Sequence, residues 1–154
     1  MNCPKCNKKL KPAGNLPELS CECGYRFSMV PKGTKKSRMT VAVDFDGVIH
    51  SYTSGWKGPA EIPDPPVEGV AEAVKTLRTV FEVVVYSTRC ATKEGMGAVR
   101  KYLRENGIEV DGVADGKPIA FIYIDDRGYR FRGEWVDAVF ETFERWTAEK
   151  LLKA

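Results

Sequence analysis

From residue 40 onward, the apolar positions alternate between two periods. Val41-Ala42-Val43 is a short apolar run, β-branched at both outer positions, and reads as a buried strand. Over 67–79, Val67, Val70, Ala71, Val74 and Leu77 recur on one face of a helix. A second strand over 81–86 reads FEVVVY, and a second helix over 93–106 is stopped by Asn106-Gly107. A short strand near 110–113 and a buried run AFIYI over 120–124 follow. The last helix, 134–152, carries Trp135, Val136, Val139, Phe140, Phe143 and Trp146 as a stripe expected to face the core. Strands alternating with helices predict an α/β body with a parallel sheet.

The first 28 residues lack such a pattern and are too few to bury a core of their own. They hold four of the five cysteines: Cys3-Pro4-Lys5-Cys6, then Cys21-Glu22-Cys23-Gly24. Two close pairs about 15 residues apart match a structural four-cysteine zinc site, in which the metal supplies the folding energy. The second pair is one residue tighter than the usual Cys-x-x-Cys. The stretch resembles a zinc ribbon. Residues 29–39, MVPKGTKKSRM, read as a basic linker, and 40–154 as the body. A redox or disulfide role for the cysteines is the lesser alternative.

The strand ends carry the chemistry. Val43 runs into Asp44-Phe45-Asp46-Gly47, and on an extended chain residues two apart point the same way. Both carboxylates would then project from the carboxyl end of a strand, where open α/β sheets place ligands, and Gly47 permits close approach. As an isolated pattern this fits a surface pair as well as a catalytic one. The second strand ends in Ser87-Thr88-Arg89, hydroxyls and a guanidinium suited to phosphoryl oxygens. The last strand ends in Asp125-Asp126, adjacent like charges that need a cation nearby. Lys117 lies between. The irregular segment 51–66 is too broken for a helix. It is either a flap that brings His50, Tyr52, Trp56 and Lys57 to a substrate or a surface loop whose Trp56 covers the core. His50, the only histidine, has no obvious partner in the sequence and is not taken as a base.

Carboxylates and a lysine, without histidine or cysteine, make a hard-oxygen site of the kind Mg²⁺ uses. These four motifs in order — Asp44-Phe45-Asp46-Gly47-Val48, the strand ending at Ser87, Lys117, and the strand ending Asp125-Asp126 — resemble the haloacid dehalogenase superfamily over residues 40–126. The resemblance implies a Rossmann-like parallel sheet with helices on both faces and a Mg²⁺-dependent phosphatase. Asp44 would attack phosphorus and form an aspartyl phosphate, and Asp46 would serve as acid and then base while its carbonyl binds the metal. Ser87 would hold a phosphoryl oxygen, with Gly47, Thr88 and Arg89 as further substrate contacts. Lys117 would offset charge, and Asp125 and Asp126 would complete the Mg²⁺ site with Asp44 and Asp46. The spacing leaves no room for a cap domain. The Ser87-x-Arg89 ending is also similar to phosphatase domains of polynucleotide kinase-phosphatases.

Composition adds a charge asymmetry. Residues 1–39 carry nine Lys or Arg against two Glu, and the remainder is net acidic. The basic part suits a phosphate-bearing partner, a nucleotide or a nucleic-acid end, or serves only solubility. No apolar run is long enough to span a membrane and no signal-peptide pattern opens the chain, so a cytoplasmic location is expected. A zinc-ribbon adaptor or nucleic-acid-binding module on the same scaffold, without catalysis, is the alternative function. The ribbon's partner is not specified by the sequence.

Overall fold

A computed structural model of the chain describes residues 1–13, 18–28 and 38–152. Of the expected linker 29–39, residues 29–37 lie outside the described residues. In the amino-terminal part, β1 (Lys11–Pro12), β2 (Glu18–Ser20) and β3 (Arg26–Ser28) pair antiparallel in the order β1-β2-β3. Their minimal core is Cys3, Leu10 and Cys21, with Leu19, Tyr25 and Phe27 packed against it. The two aromatics of this segment are therefore core rather than a stacking platform.

The body is α/β, with a four-stranded parallel sheet. Its strands are β4 (Thr40–Asp44), β5 (Glu82–Tyr86), β6 (Gly112–Ala114) and β7 (Ile122–Ile124), in the order β6-β5-β4-β7. The register aligns Val43 with Val85 and Ile124, and Asp44 with Tyr86. All strands run the same way, so Asp44, Ser87 and Asp125 emerge at one edge. Helix α1 (Val70–Arg78) and helix α2 (Lys93–Glu105) connect the strands. Val74 of α1 and Val99 and Leu103 of α2 share one core with Val41, Val43, Val83 and Val85. These four valines lie on one face of the sheet, so both helices cover that same face.

Two expectations are corrected here. Among the described residues α1 and α2 cover one face of the sheet and no helix is packed extensively on the other. Among the described residues helix α3 (Trp135–Leu152) makes no extensive contact with another helix or strand, and its apolar stripe is not buried. Trp135, Val136, Val139, Phe140, Phe143 and Trp146 are all at least half exposed. Periodicity identified the helix correctly, but periodicity names only a face that needs covering, not what covers it.

A short 3₁₀ turn (Thr88–Ala91) joins β5 to α2, capped by Ser87, whose Oγ accepts from the Arg89 N–H. Thr92 caps α2 through the Gly95 N–H. Gly95 is pressed on this turn: a Cβ there would collide with the backbone carbonyl of Arg89, whereas one at Gly97 would meet open space. Gly95→Ala is expected to cost about 1–3 kcal/mol through overpacking. Gly97→Ala should stabilise by roughly 0.5–1 kcal/mol through helix propensity. Chemical denaturation of the two variants checks the opposite signs.

Candidate active site

After Asp44 the chain leaves extended geometry. Ile49 and His50 N–H both donate to Phe45 O, and Gly47 N–H donates to His50 O at 2.8 Å. Gly47 takes a positive φ of 86°, and a Cβ on it would collide with the Asp126 carboxylate. Glycine is thus required twice, for the turn and for the approach of Asp126. The strand stops at Asp44, and the two aspartates of the motif have different partners. They enter separate environments.

Asp44 joins Asp125 and Asp126. One carboxylate oxygen from each lies within 4.8 Å of the others, so the three could hold a metal ion. Asp44 Oδ1 accepts from the Phe45 N–H at 2.7 Å. Burial nevertheless pushes its pKa up to about 6, with further repulsion from Asp125, Asp126 and Asp46. Asp125 is held below the usual carboxylate range by the Tyr86 hydroxyl, which donates to Oδ2 at 2.7 Å, and by the Arg127 and Gly128 N–H groups on Oδ1. Asp126 is half exposed, with Arg127 Nε 3.6 Å away. The cluster thus sets a carboxyl that resists ionisation, Asp44, beside one that is held ionised, Asp125.

Asp46 has an internal cation. Nε of Arg89 donates to both its oxygens, at 3.0 and 2.8 Å, and the Arg89 side chain is fully buried. Nη1 donates to the carbonyls of Gly58 at 2.6 Å, Pro59 at 3.3 Å and Glu61 at 2.9 Å, and the guanidinium lies 4.7 Å from the centre of the Trp56 ring. Arg89 therefore fastens the 51–66 loop to the motif carboxylate. Leaving one partner of such a buried pair behind costs about 3–5 kcal/mol. His50, also fully buried, completes the clasp. Its Nε2 accepts from the Asp64 N–H at 3.2 Å, so Nδ1 carries the proton and donates to Asp46 Oδ1 at 2.8 Å. Asp64 in turn accepts from the Ser54 N–H and hydroxyl.

The expected site residues thus fall into two groups. Asp44, Asp125 and Asp126 come together. Ser87 is buried at the end of β5, where its oxygen caps the following turn and its own O–H remains to donate. Thr88 beside it is exposed. Lys117 lies over the Tyr123 ring, 4.3 Å from its centre, and its charge helps to lower the pKa of Asp125; it forms no ion pair with Asp44 among the described residues. Asp46 contributes no side-chain oxygen to the carboxylate cluster. Arg89, expected as a substrate contact, and His50, placed in the flap, are instead buried beneath the loop. Trp56 covers Arg89. Tyr86 was missed by the sequence reading; the final residue of FEVVVY is a tyrosine on a strand facing an aspartate, and that was the available signal. A cavity of about 550 Å³ opens beside the cluster, lined by Lys117, Tyr123, Asp125, Tyr129 and Arg130 among others.

In the amino-terminal part, Cys3, Cys6, Cys21 and Cys23 converge and could hold a metal ion such as zinc. Cys3 Sγ is 3.6 Å from Cys23 Sγ, and Cys6 Sγ is 3.3 Å from Cys21 Sγ. Four sulfurs about 2.3 Å from a tetrahedral zinc would stand about 3.8 Å apart. The Tyr25 N–H and the thiols of Cys21 and Cys6 draw Cys23 down to about 7. Cys6 has the Lys8 N–H in its favour, yet the crowding thiols of Cys21 and Cys23 push it up to about 12. Cys6 thus resists ionisation while Cys23 favours it.

No protein family matches the chain, and neither does any curated protein or any solved structure.

Asp44 gives a pH signature. Its pKa is higher in the folded protein, about 6, than its ordinary 3.8, so the folded state binds the extra proton between these values. Stability then falls as pH rises through that window and stays lower above it. Asp44→Asn is expected to stabilise the metal-free protein at pH 7.5 by roughly 1 kcal/mol, a figure reduced for the group's partial solvent exposure. The gain should vanish near pH 4, where Asp44 itself is protonated. Thermal melts of both proteins at the two pH values check this.

Proposed function

We propose that the chain is a Mg²⁺-dependent phosphomonoesterase of the haloacid dehalogenase type, with a Rossmann-like body and a zinc-bound ribbon. The observation that carries this reading is the meeting of Asp44, Asp125 and Asp126 at the carboxyl ends of two adjacent parallel strands. Three carboxylates and no nitrogen or sulfur donor suit a hard divalent cation. Bound there, Mg²⁺ would offset the negative charge of both phosphate and carboxylates.

The chain's own groups would do the rest. Asp44, at the end of a rigid strand, attacks phosphorus; an oxygen–phosphorus bond forms as the ester bond to the leaving oxygen breaks. Its backbone hydrogen bond from Phe45 leaves the second carboxylate oxygen for this role. Asp46 delivers a proton to the leaving oxygen and later takes one from the water that hydrolyses the aspartyl phosphate. Arg89 and His50 hold that carboxylate at a fixed angle. Ser87 donates its hydroxyl to a phosphoryl oxygen, with the exposed Thr88 next to it in the chain. Lys117 supplies positive charge on the Asp125 side. Arg89 takes no part in substrate binding in this reading; its guanidinium is consumed by Asp46 and the loop.

The basic amino-terminal part favours substrates that extend beyond one phosphate, such as a nucleotide or a nucleic-acid end. Phosphate release is measured with Mg²⁺ on an aryl phosphate, on mononucleotides and on oligonucleotides phosphorylated at the 3′ or 5′ end. Turnover is expected, preferentially on an oligonucleotide end, and Asp44→Asn should lower it by more than about 10³-fold while the protein stays folded. No release from any substrate, or a variant as active as the parent, overturns the reading.

A further inference from the structure

Asp46 and Asp125 both follow strands of the parallel sheet, yet the fold treats their charges oppositely. Asp46 has a buried guanidinium on both oxygens, which offsets its charge. Asp125 accepts hydrogen bonds from neutral donors. The Tyr86 hydroxyl donates to Oδ2 at 2.7 Å, and the Arg127 and Gly128 N–H groups donate to Oδ1 at 2.8 and 2.9 Å. Lys117 acts on it as a charge, without an ion pair among the described residues. A carboxylate has about four lone-pair positions. With three of them taken the direction of Asp125 is set, and its negative charge is kept.

The length of Tyr86 makes this contact possible. Strands β5 and β7 are not neighbours: β4 lies between them, so their backbones stand roughly 10 Å apart. Val83 and Val85 face the helices, so Tyr86 lies on the other side of the sheet. Tyr123 lies on that side too, because Ile122 and Ile124 are in register with Val41 and Val43. A serine or threonine at 86 would fall short of Asp125, whereas a phenol spans the end of β4. The Tyr86 ring stands edge-on to Tyr123, 6.1 Å between centres and 90° between planes. Tyr123 is tied in turn by its hydroxyl to the Pro118 carbonyl at 2.6 Å. The other two carboxylates have less support: Asp44 accepts from the Phe45 N–H, and Asp126 has Arg127 at 3.6 Å.

We propose that Tyr86 is a positioning residue of the Asp44–Asp125–Asp126 site: its hydroxyl aims Asp125 at a bound divalent cation without neutralising it. The inference rests on the Mg²⁺ reading of that cluster. A charged donor in the same place would compete with the metal, as Arg89 would at Asp46; a phenol orients the ligand and leaves the attraction intact. Groups that orient a metal ligand in this way commonly contribute 10–100-fold in affinity.

The test is calorimetric titration of Mg²⁺ into the full-length parent, Tyr86→Phe and Tyr123→Phe, with circular dichroism to show that each is folded. Both variants lose one phenolic hydroxyl on the same side of the sheet, but Tyr123 makes no hydrogen bond to the cluster. Tyr86→Phe should weaken Mg²⁺ binding by about 10–100-fold, and Tyr123→Phe should leave it unchanged. Binding by Tyr86→Phe as tight as that of the parent overturns the proposal and leaves the cation site standing. Equal weakening in both variants also overturns it, because packing on that side of the sheet would then be the cause. A folded parent that binds no Mg²⁺ overturns the proposal together with the reading beneath it.

Discussion

Like charges brought together by the backbone need a counter-charge, and the carboxyl ends of the parallel strands are built around this constraint. Register alone brings Asp44 beside Asp125 and Asp126, and the Gly47 turn lets Asp126 approach. Folding solves the problem for Asp46 by burying Arg89 against it. For the other three it supplies only partial relief: the Tyr86 hydroxyl, two backbone N–H groups, and Lys117 and Arg127 at the margin. Asp44 consequently resists ionisation. One carboxylate carries its cation within the fold; the other three lie close enough together that they could hold a metal ion.

The same division links chemistry to loop structure. Arg89 sits at the start of the turn between β5 and α2, and Gly95 lets that turn lie tightly on the helix. From there the guanidinium reaches Asp46 on one side and three loop carbonyls on the other. The irregular segment after β4 is thereby fixed to the strand end it follows, with His50 and Asp64 as a second fastening. A long loop without helix or strand is tied down here by buried polar groups, Arg89, His50 and Asp64, with Ile62 packed against the core.

Much of this was legible in the sequence. Apolar period and breaker residues gave the order of strands and helices, since short continuous runs and a 3.6-residue stripe have few other solutions. The cysteine pairs and strand-end aspartates were visible because chemistry of that kind needs particular residue types at particular spacing. What was not legible depended on where side chains turn. Extended-chain parity put Asp44 and Asp46 in one site, and the turn at 45–50 instead pairs Asp46 with His50 and Arg89. Arg89 looked like an anion ligand because its pairing with Asp46 spans 43 positions. The stripe of α3 was read as core because pattern alone does not say whether the covering surface is in the same chain.

The claim on which the functional reading rests is that Asp44, Asp125 and Asp126 form a cation site. Calorimetric titration of Mg²⁺ into the purified chain tests it directly, with Asp125→Asn alongside. A single Mg²⁺ per chain is expected on the parent at pH 7.5, with binding lost in the variant and weakened as pH falls towards 6, where Asp44 takes up its proton. A folded parent that binds no Mg²⁺ at millimolar concentration, or a variant that binds as well as the parent, would contradict it.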